Sequence, residues 1–257
     1  MATAIFLGFL MLVFLVSVGL QLLGHHVGAS WRARGMTAIG EATTAIQTSL
    51  FALLGLLIAF TVSGGATRLE ARQHLIVEEA NAIGTAYLRL DLMPPSYQPA
   101  LRELFRRYAE ARIAFFSQVK HLDEARASHD RAIDLQRQIW DAAVAGQAEV
   151  HDPRAATLAL PAINAMIDVT TARDAALQTH VPISMFILLV GLAFACAFLA
   201  GVEMSKQPRP SAFHMLAFAG VLALICYVIV NIEFPRLGLV RLGPFDQLLV
   251  IARQQMG

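Results

Sequence analysis

Residues 51–86 read FALLGLLIAFTVSGGATRLEARQHLIVEEANAIGTA, and the change of character along this stretch decides how the chain is built. Its first half is apolar and free of charge. From Arg68 onward, arginines and glutamates recur every few residues. Between residues 63 and 94 there is no internal proline, and the only glycines are Gly64, Gly65 and Gly84. A helix that begins inside hydrocarbon therefore runs on into water as one rod. The Gly64–Gly65 pair marks either a bend or a tight packing point against another helix.

Working outward, three more apolar runs flank this one, at residues 4–23, 181–204 and 212–232; its own apolar part covers 46–62. A run of about 18 or more apolar residues is long enough to cross a bilayer core of roughly 30 Å as a helix. Backbone polar groups in hydrocarbon must be satisfied within the segment, so each run is helical. The first run has no Lys or Arg before it and no small-residue cleavage site after it. It reads as a retained membrane helix, not a secretory signal.

Composition agrees: of 257 residues, 56% are hydrophobic and only 15% charged, and the charges crowd into the middle. The formal net charge of +1 gives no electrostatic support to a nucleic-acid role. Both cysteines, Cys196 and Cys226, fall inside membrane runs, where they act as small apolar packers and not as a disulfide framework.

The expected fold is all-α: four transmembrane helices with a helical extramembrane domain between the second and third. The boundaries are 1–65 for the first membrane pair, 66–180 for the domain, 181–235 for the second pair and 236–257 for a C-terminal tail. Within the domain, Leu101, Leu104, Phe105, Tyr108, Ile113 and Phe116 recur at helical spacing. A second helix over 122–146 carries Ile133, Leu135, Ile139 and Trp140, and Asp152–Pro153 opens a third that is expected to continue into the third membrane helix.

Four crossings put both termini and the domain on one side. The short loops offer Arg32, Arg34, Lys206 and Arg209, the other side Arg68, Arg72, Arg173, Arg236, Arg241 and Arg253. The count leans toward a cytoplasmic domain in a bacterial inner membrane. Small residues on the third membrane helix (Gly191, Ala193, Ala195, Ala197, Gly201) allow close packing.

Motifs for catalysis are missing: no GxSxG, HExxH, phosphate loop or dinucleotide fingerprint occurs, so no enzyme, cofactor or metal is expected. His25–His26 are adjacent and point apart, as interfacial histidines do, and His214 reads the same way. Glu78 and Glu79 likewise diverge on a helix, which suits pairing with arginines better than sharing a proton. The informative pattern is again on the second helix. Ala52, Leu56 and Phe60 lie four apart in one apolar stripe, followed by Ser63, Thr67, Arg68, Arg72, His74, Glu78 and Asn81. Such a helix fits an ion pathway with a dewetting constriction and a polar mouth, or an ordinary packed or lipid-facing helix.

The stretch over 51–86 resembles the second-helix signature of bacterial bestrophins, an apolar LLG-type helix ending in Phe and followed by R-W-W-E-x-R and an Asn. Phe60, Arg68, Glu70, Arg72 and Asn81 occupy those places. EEANAIGTAYLRLDLMP (78–94) and IEFPRLGLVRL (232–242) resemble the bestrophin-like family of bacterial and plant membrane proteins more closely. The resemblance implies a pentameric, mostly anion-selective channel in the lipid bilayer, with inorganic anions as its cargo. Ala52, Leu56 and Phe60 would form the neck, with Ser63, Arg68, Arg72, His74, Glu78 and Asn81 at the pore mouth. The chain departs from the pattern where Leu69 replaces the tryptophan pair. The tail has only Glu233 and Asp246 in place of an acidic calcium clasp, so calcium gating is not expected. A non-conducting scaffold whose helical domain binds a protein partner is the rival reading.

Overall fold

The structure is a computed structural model that describes residues 2–118, 122–149, 153–207, 209, 211–235 and 242–257, with side-chain surroundings for 6–36, 44–118, 123–149, 157–207, 209, 211–235 and 242–257. Arg236, Arg241 and Asp152 lie outside the described residues. Among the described residues eight α-helices follow in order: α1 (Ala2–Ala33), α2 (Thr37–Leu88), α3 (Gln98–Ser117), α4 (Leu122–Ala148), α5 (Pro153–Gln178), α6 (Ile183–Met204), α7 (Ala212–Glu233) and α8 (Gly243–Gln254). A 3₁₀ turn at Arg89–Leu92 ends α2, and no strand occurs among the described residues. Among the described residues four stretches are long and apolar enough to cross a membrane: Phe6–Ala33, Thr44–Leu92, Thr157–Met204 and Ala212–Glu233.

The chain divides into two compact units, Met1–Leu69 with His180–Val240, and Glu70–Thr179 with Arg241–Gly257. α2 contributes to both as a single 52-residue helix.

In the first unit α1, α6 and α7 pack together and α2 leans on them through side chains. Leu54 of α2 joins Leu189, Ala193, Cys196, Leu222 and Ile229 in one buried cluster, and Phe51 meets Phe218 edge-on at 5.7 Å. Cys226 packs with Val13 and Ala223. α1 and α6 approach so closely that a Cβ on Gly24 would strike the Phe198 carbonyl, and one on Gly201 the Gln21 carbonyl. Lipid tails supply no hydrophobic drive between helices, so this backbone proximity is what lets dispersion hold the pair. Ala193, Ala197 and Gly201 are buried, whereas Gly191 and Ala195 are exposed.

In the second unit, α3 buries Leu101, Phe105, Tyr108 and Phe116, and α4 buries Leu135 and Ile139. Burying each large apolar side chain contributes about 1.5–3 kcal/mol. Ile133 faces outward. α8, in the part of the sequence read as a tail, adds Leu249 to this core, and the Tyr87 hydroxyl donates to the Met256 carbonyl at 2.7 Å.

One expectation is corrected. α5 does not continue into α6: it ends at Gln178, and Pro182 stands at the N-cap of α6. Proline has no N–H to donate and disfavours the helical region for the residue before it, which accounts for a break at Pro182.

Candidate functional site

α2 presents one uncovered face in each unit. In the first, Ala52, Leu56, Phe60, Ser63 and Thr67 are all exposed, with Leu56 at 53% and Phe60 at 64%. Their spacing of four, four, three and four residues keeps them on a single stripe of a 3.6-residue helix. Further toward the start of α2, Thr48 and Ser49 are also exposed. Thr48 donates to the Thr44 carbonyl at 3.0 Å and Thr67 to the Ser63 carbonyl at 3.1 Å. Thr44 itself donates to Glu203 at 3.2 Å.

The opposite face holds the helix in place. Beyond Leu54 come buried Thr61, which donates to the Leu57 carbonyl at 2.7 Å, and Gly65, which lies against Ile232. Arg68 is on this side. Its Nη2 donates to Glu233 Oε2 at 2.8 Å, while Glu233 Oε1 accepts the Val181 N–H at 3.0 Å and lies 3.1 Å from His180 Nδ1. The His180 ring stacks on Phe234 at 5.0 Å. One carboxylate thus ties the end of α7 and the start of α6 to α2.

In the second unit Arg72 is 5% exposed. It donates from Nε to the Ala176 carbonyl at 3.2 Å and from Nη2 to the Thr179 carbonyl at 2.8 Å. The Ala176 carbonyl belongs to the last turn of α5 and Thr179 follows directly after that helix, where C=O groups have no helical partners and carry negative partial charge, so Arg72 caps that end. The uncovered face here carries Glu70, His74, Glu78 and Asn81, with His74 Nδ1 3.4 Å from Glu78 Oε1.

Glu79, next to Glu78, is fully buried. It accepts Arg112 Nε at 2.6 Å and is paired with Arg173. Arg173 also reaches Asp246 at 2.7 Å, and Arg112 reaches Asp174 at 3.2 Å. Phe116 lies between the guanidinium groups of Arg112 and Arg173, at 4.9 and 3.5 Å from its ring centre. Burial is the largest influence and pulls the Arg112 guanidinium down, but Glu79, Tyr108 and Asp174 together outweigh it and hold the group above the ordinary arginine value. Tyr108, hydrogen-bonded to Thr170 at 2.8 Å, has its hydroxyl pushed up to about 12, first by burial and then by the charge of Glu79.

Of the residues singled out in the sequence, the structure brings Ala52, Leu56, Phe60 and Ser63 to one exposed face in the first unit, and His74, Glu78 and Asn81 to another in the second. Arg68 and Arg72 turn inward to protein partners. His25 meets the Gln207 carbonyl at 3.3 Å, His214 meets Ser211 at 2.7 Å, and the described residues hold no cluster fit for a metal. Sequence reasoning missed Glu233 and His180 as a clamp, and Arg112 and Arg173 as buried charges. A carboxylate one residue from the end of a membrane helix was the available signal, since such a group needs a partner.

The family model described as Bestrophin-like domain matches residues 8–244. Crystal structures of two point mutants of a bacterial bestrophin homologue from Klebsiella pneumoniae share the fold. One aligns at TM-score 0.68 with 13% identity over 97% of this chain and 96% of that one. The other aligns at 0.68 with 14% identity over 96% and 98%. A crystal structure described only as a membrane protein aligns at 0.65 with 13% identity, over 96% and 98%. No curated protein matches the chain.

Proposed function

The chain belongs to the bestrophin-like family, and from that membership we propose that it forms an oligomeric ion channel, a pentamer by resemblance, whose pore is lined by α2. The observation that carries the reading is the exposed stripe of Ala52, Leu56 and Phe60 bordered by hydroxyls on both sides. The uncovered faces of the neighbouring helices behave differently. Those of α1 (Leu12, Leu15, Leu22) and α7 (Leu216, Val221, Leu224) are rich in large apolar side chains, as lipid contact requires. Exposed Thr48, Ser63 and Thr67 flanking an apolar neck suit a water-filled path. Leu56 and Phe60 would then set a constriction that gates by dewetting.

The resemblance implies inorganic anions as cargo, and among this chain's own residues that expectation leans on Arg68 and Arg72. Both have other partners within the protomer, so the sign of the permeant ion falls to the rest of the lining. Orientation in an inner membrane with a cytoplasmic domain completes the proposal, supported by the positive-inside count.

The test is ion flux in proteoliposomes holding the purified protein, with Phe60→Ala beside wild type. A severalfold rise in the variant supports a neck on α2. Absence of flux from both, in protein of intact oligomeric size, would move the assignment to a non-conducting scaffold.

A further inference from the structure

The first unit treats the cations at its two membrane ends differently. At the end where α7 closes, Arg68 is neutralised by Glu233. At the other end, formed by the close of α1 and the α6–α7 connection, the sequence sets Arg32, Arg34, Lys206 and Arg209 against two carboxylates, Glu41 and Glu203. Glu203 is taken by Lys206. Arg32 donates to the Ser205 hydroxyl, which carries no charge to offset it. Arg34 and Arg209 are exposed and have no ion pair among the described residues.

The packing of this end gathers those groups over an apolar flank. His25 Nε2 lies 3.3 Å from the Gln207 carbonyl, which holds the α6–α7 connection against α1. One turn further into the apolar stretch, Gln21 Nε2 donates to the Met215 carbonyl at 3.2 Å and sets Leu22 level with Leu216. Both leucines are exposed, as is Phe213 at 76%. Half-buried Trp31 stands beside the arginines, as an indole at a membrane interface does. Exposed apolar side chains capped by uncompensated guanidinium groups match acyl chains capped by a phosphate.

We infer that this end of the protein binds anionic phospholipid, with Arg34 and Arg209 taking the headgroup phosphate and the flank at Leu22 and Leu216 taking the acyl chains. Guanidinium groups offer paired N–H donors that suit phosphate oxygens, and basic groups at a membrane surface draw anionic lipid. The binding asks nothing of α2, so it stands apart from the channel reading and holds equally for a scaffold.

The measurement is lipid retention. Full-chain protein is reconstituted in equimolar phosphatidylglycerol and phosphatidylcholine of matched acyl chains, extracted gently, and its bound lipid counted by mass spectrometry. Wild type should retain phosphatidylglycerol severalfold over phosphatidylcholine. Arg34→Gln with Arg209→Gln should retain the two nearly equally at unchanged oligomeric size, whereas Arg34→Lys with Arg209→Lys should keep a preference. Arg107→Gln with Arg126→Gln removes the same charge from exposed positions of the second unit and should keep the wild-type ratio. Equal retention by wild type overturns the inference, whatever the variants do. A preference kept in full by Arg34→Gln with Arg209→Gln overturns the assignment to these arginines. Its loss in the second-unit control would show that net charge alone is read, and release of phosphatidylglycerol by inorganic phosphate would make the free anion the ligand; either result overturns the lipid site.

Discussion

Arg68 and Glu233 meet at 2.8 Å where α2 and α7 leave their apolar stretches, and the same carboxylate holds the Val181 N–H at the start of α6. Three helices are therefore fixed by one acceptor. Glu233 is the more deeply buried partner, at 9% against 26% for Arg68. Removing one member of such a pair leaves the other charge without compensation, at a cost of about 3 kcal/mol. Glu233→Ala should be the more damaging substitution, because it also orphans a backbone N–H. Thermal unfolding in detergent of both single variants and the double variant tests this. The double should lose clearly less than the two singles together, and strict additivity would show that the pair is not coupled.

Glu79 supports a prediction in the second unit. It neutralises both Arg112 and Arg173, which share the Phe116 ring between them. Glu79→Gln keeps the shape and removes the charge. Two guanidinium groups are then held close together, facing only Asp174 and Asp246 at the edge of the network. Stability should fall by roughly 3–5 kcal/mol, the range for breaking a buried ion pair from one side. Glu78→Gln, one residue away and exposed, should unfold within about 0.5 kcal/mol of wild type. Equal losses in the two variants would contradict the assignment of faces.

Close packing of α1 on α6 is tested at Gly201. A methyl there meets the Gln21 carbonyl, whereas one at Gly191 meets nothing within 4 Å. Gly201→Ala should cost about 1–3 kcal/mol, the usual penalty for overpacking, and Gly191→Ala should be neutral or slightly stabilising through helix propensity. Unfolding midpoints of the two variants decide the matter. A tolerated Gly201→Ala would mean the helices can move apart freely.

The membrane runs, the amphipathic helices of the domain and the apolar stripe of α2 were legible because each depends on local composition and period. Phe105, Tyr108, Leu135 and Ile139 fell where helical spacing put them. The arginines of α2 were harder to read, since a linear list of polar residues ignores direction. At about 100° per residue Arg68 is turned roughly 140° from Ser63, and Arg72 roughly 160° from His74. The wheel alone therefore excluded both from the exposed faces, although it named no partners. What Glu233, His180, Arg112 and Arg173 pair with was illegible for another reason. Their partners lie 33 to 165 residues away in sequence, and no local pattern encodes a contact made by tertiary packing.

Tyr108 allows a prediction in pH. Its hydroxyl is fully buried, accepts from Gln136 Nε2 at 3.2 Å, and ionises at about 12 against an ordinary value of 10.0. Between those two values the unfolded chain has released this proton while the folded one keeps it, so the unfolded state binds fewer protons and stability falls as pH rises. The contribution is fully present below pH 10 and is lost on the way to 12, where each tenfold difference in acidity between the two states is worth about 1.4 kcal/mol. Other bases and tyrosines titrate in the same window, so the informative quantity is a difference. Tyr108→Phe cannot ionise there, and its unfolding midpoint should fall less steeply across pH 10–12 than that of wild type. Parallel slopes for the two proteins would place the Tyr108 hydroxyl in contact with water and remove burial as the cause of its raised pKa.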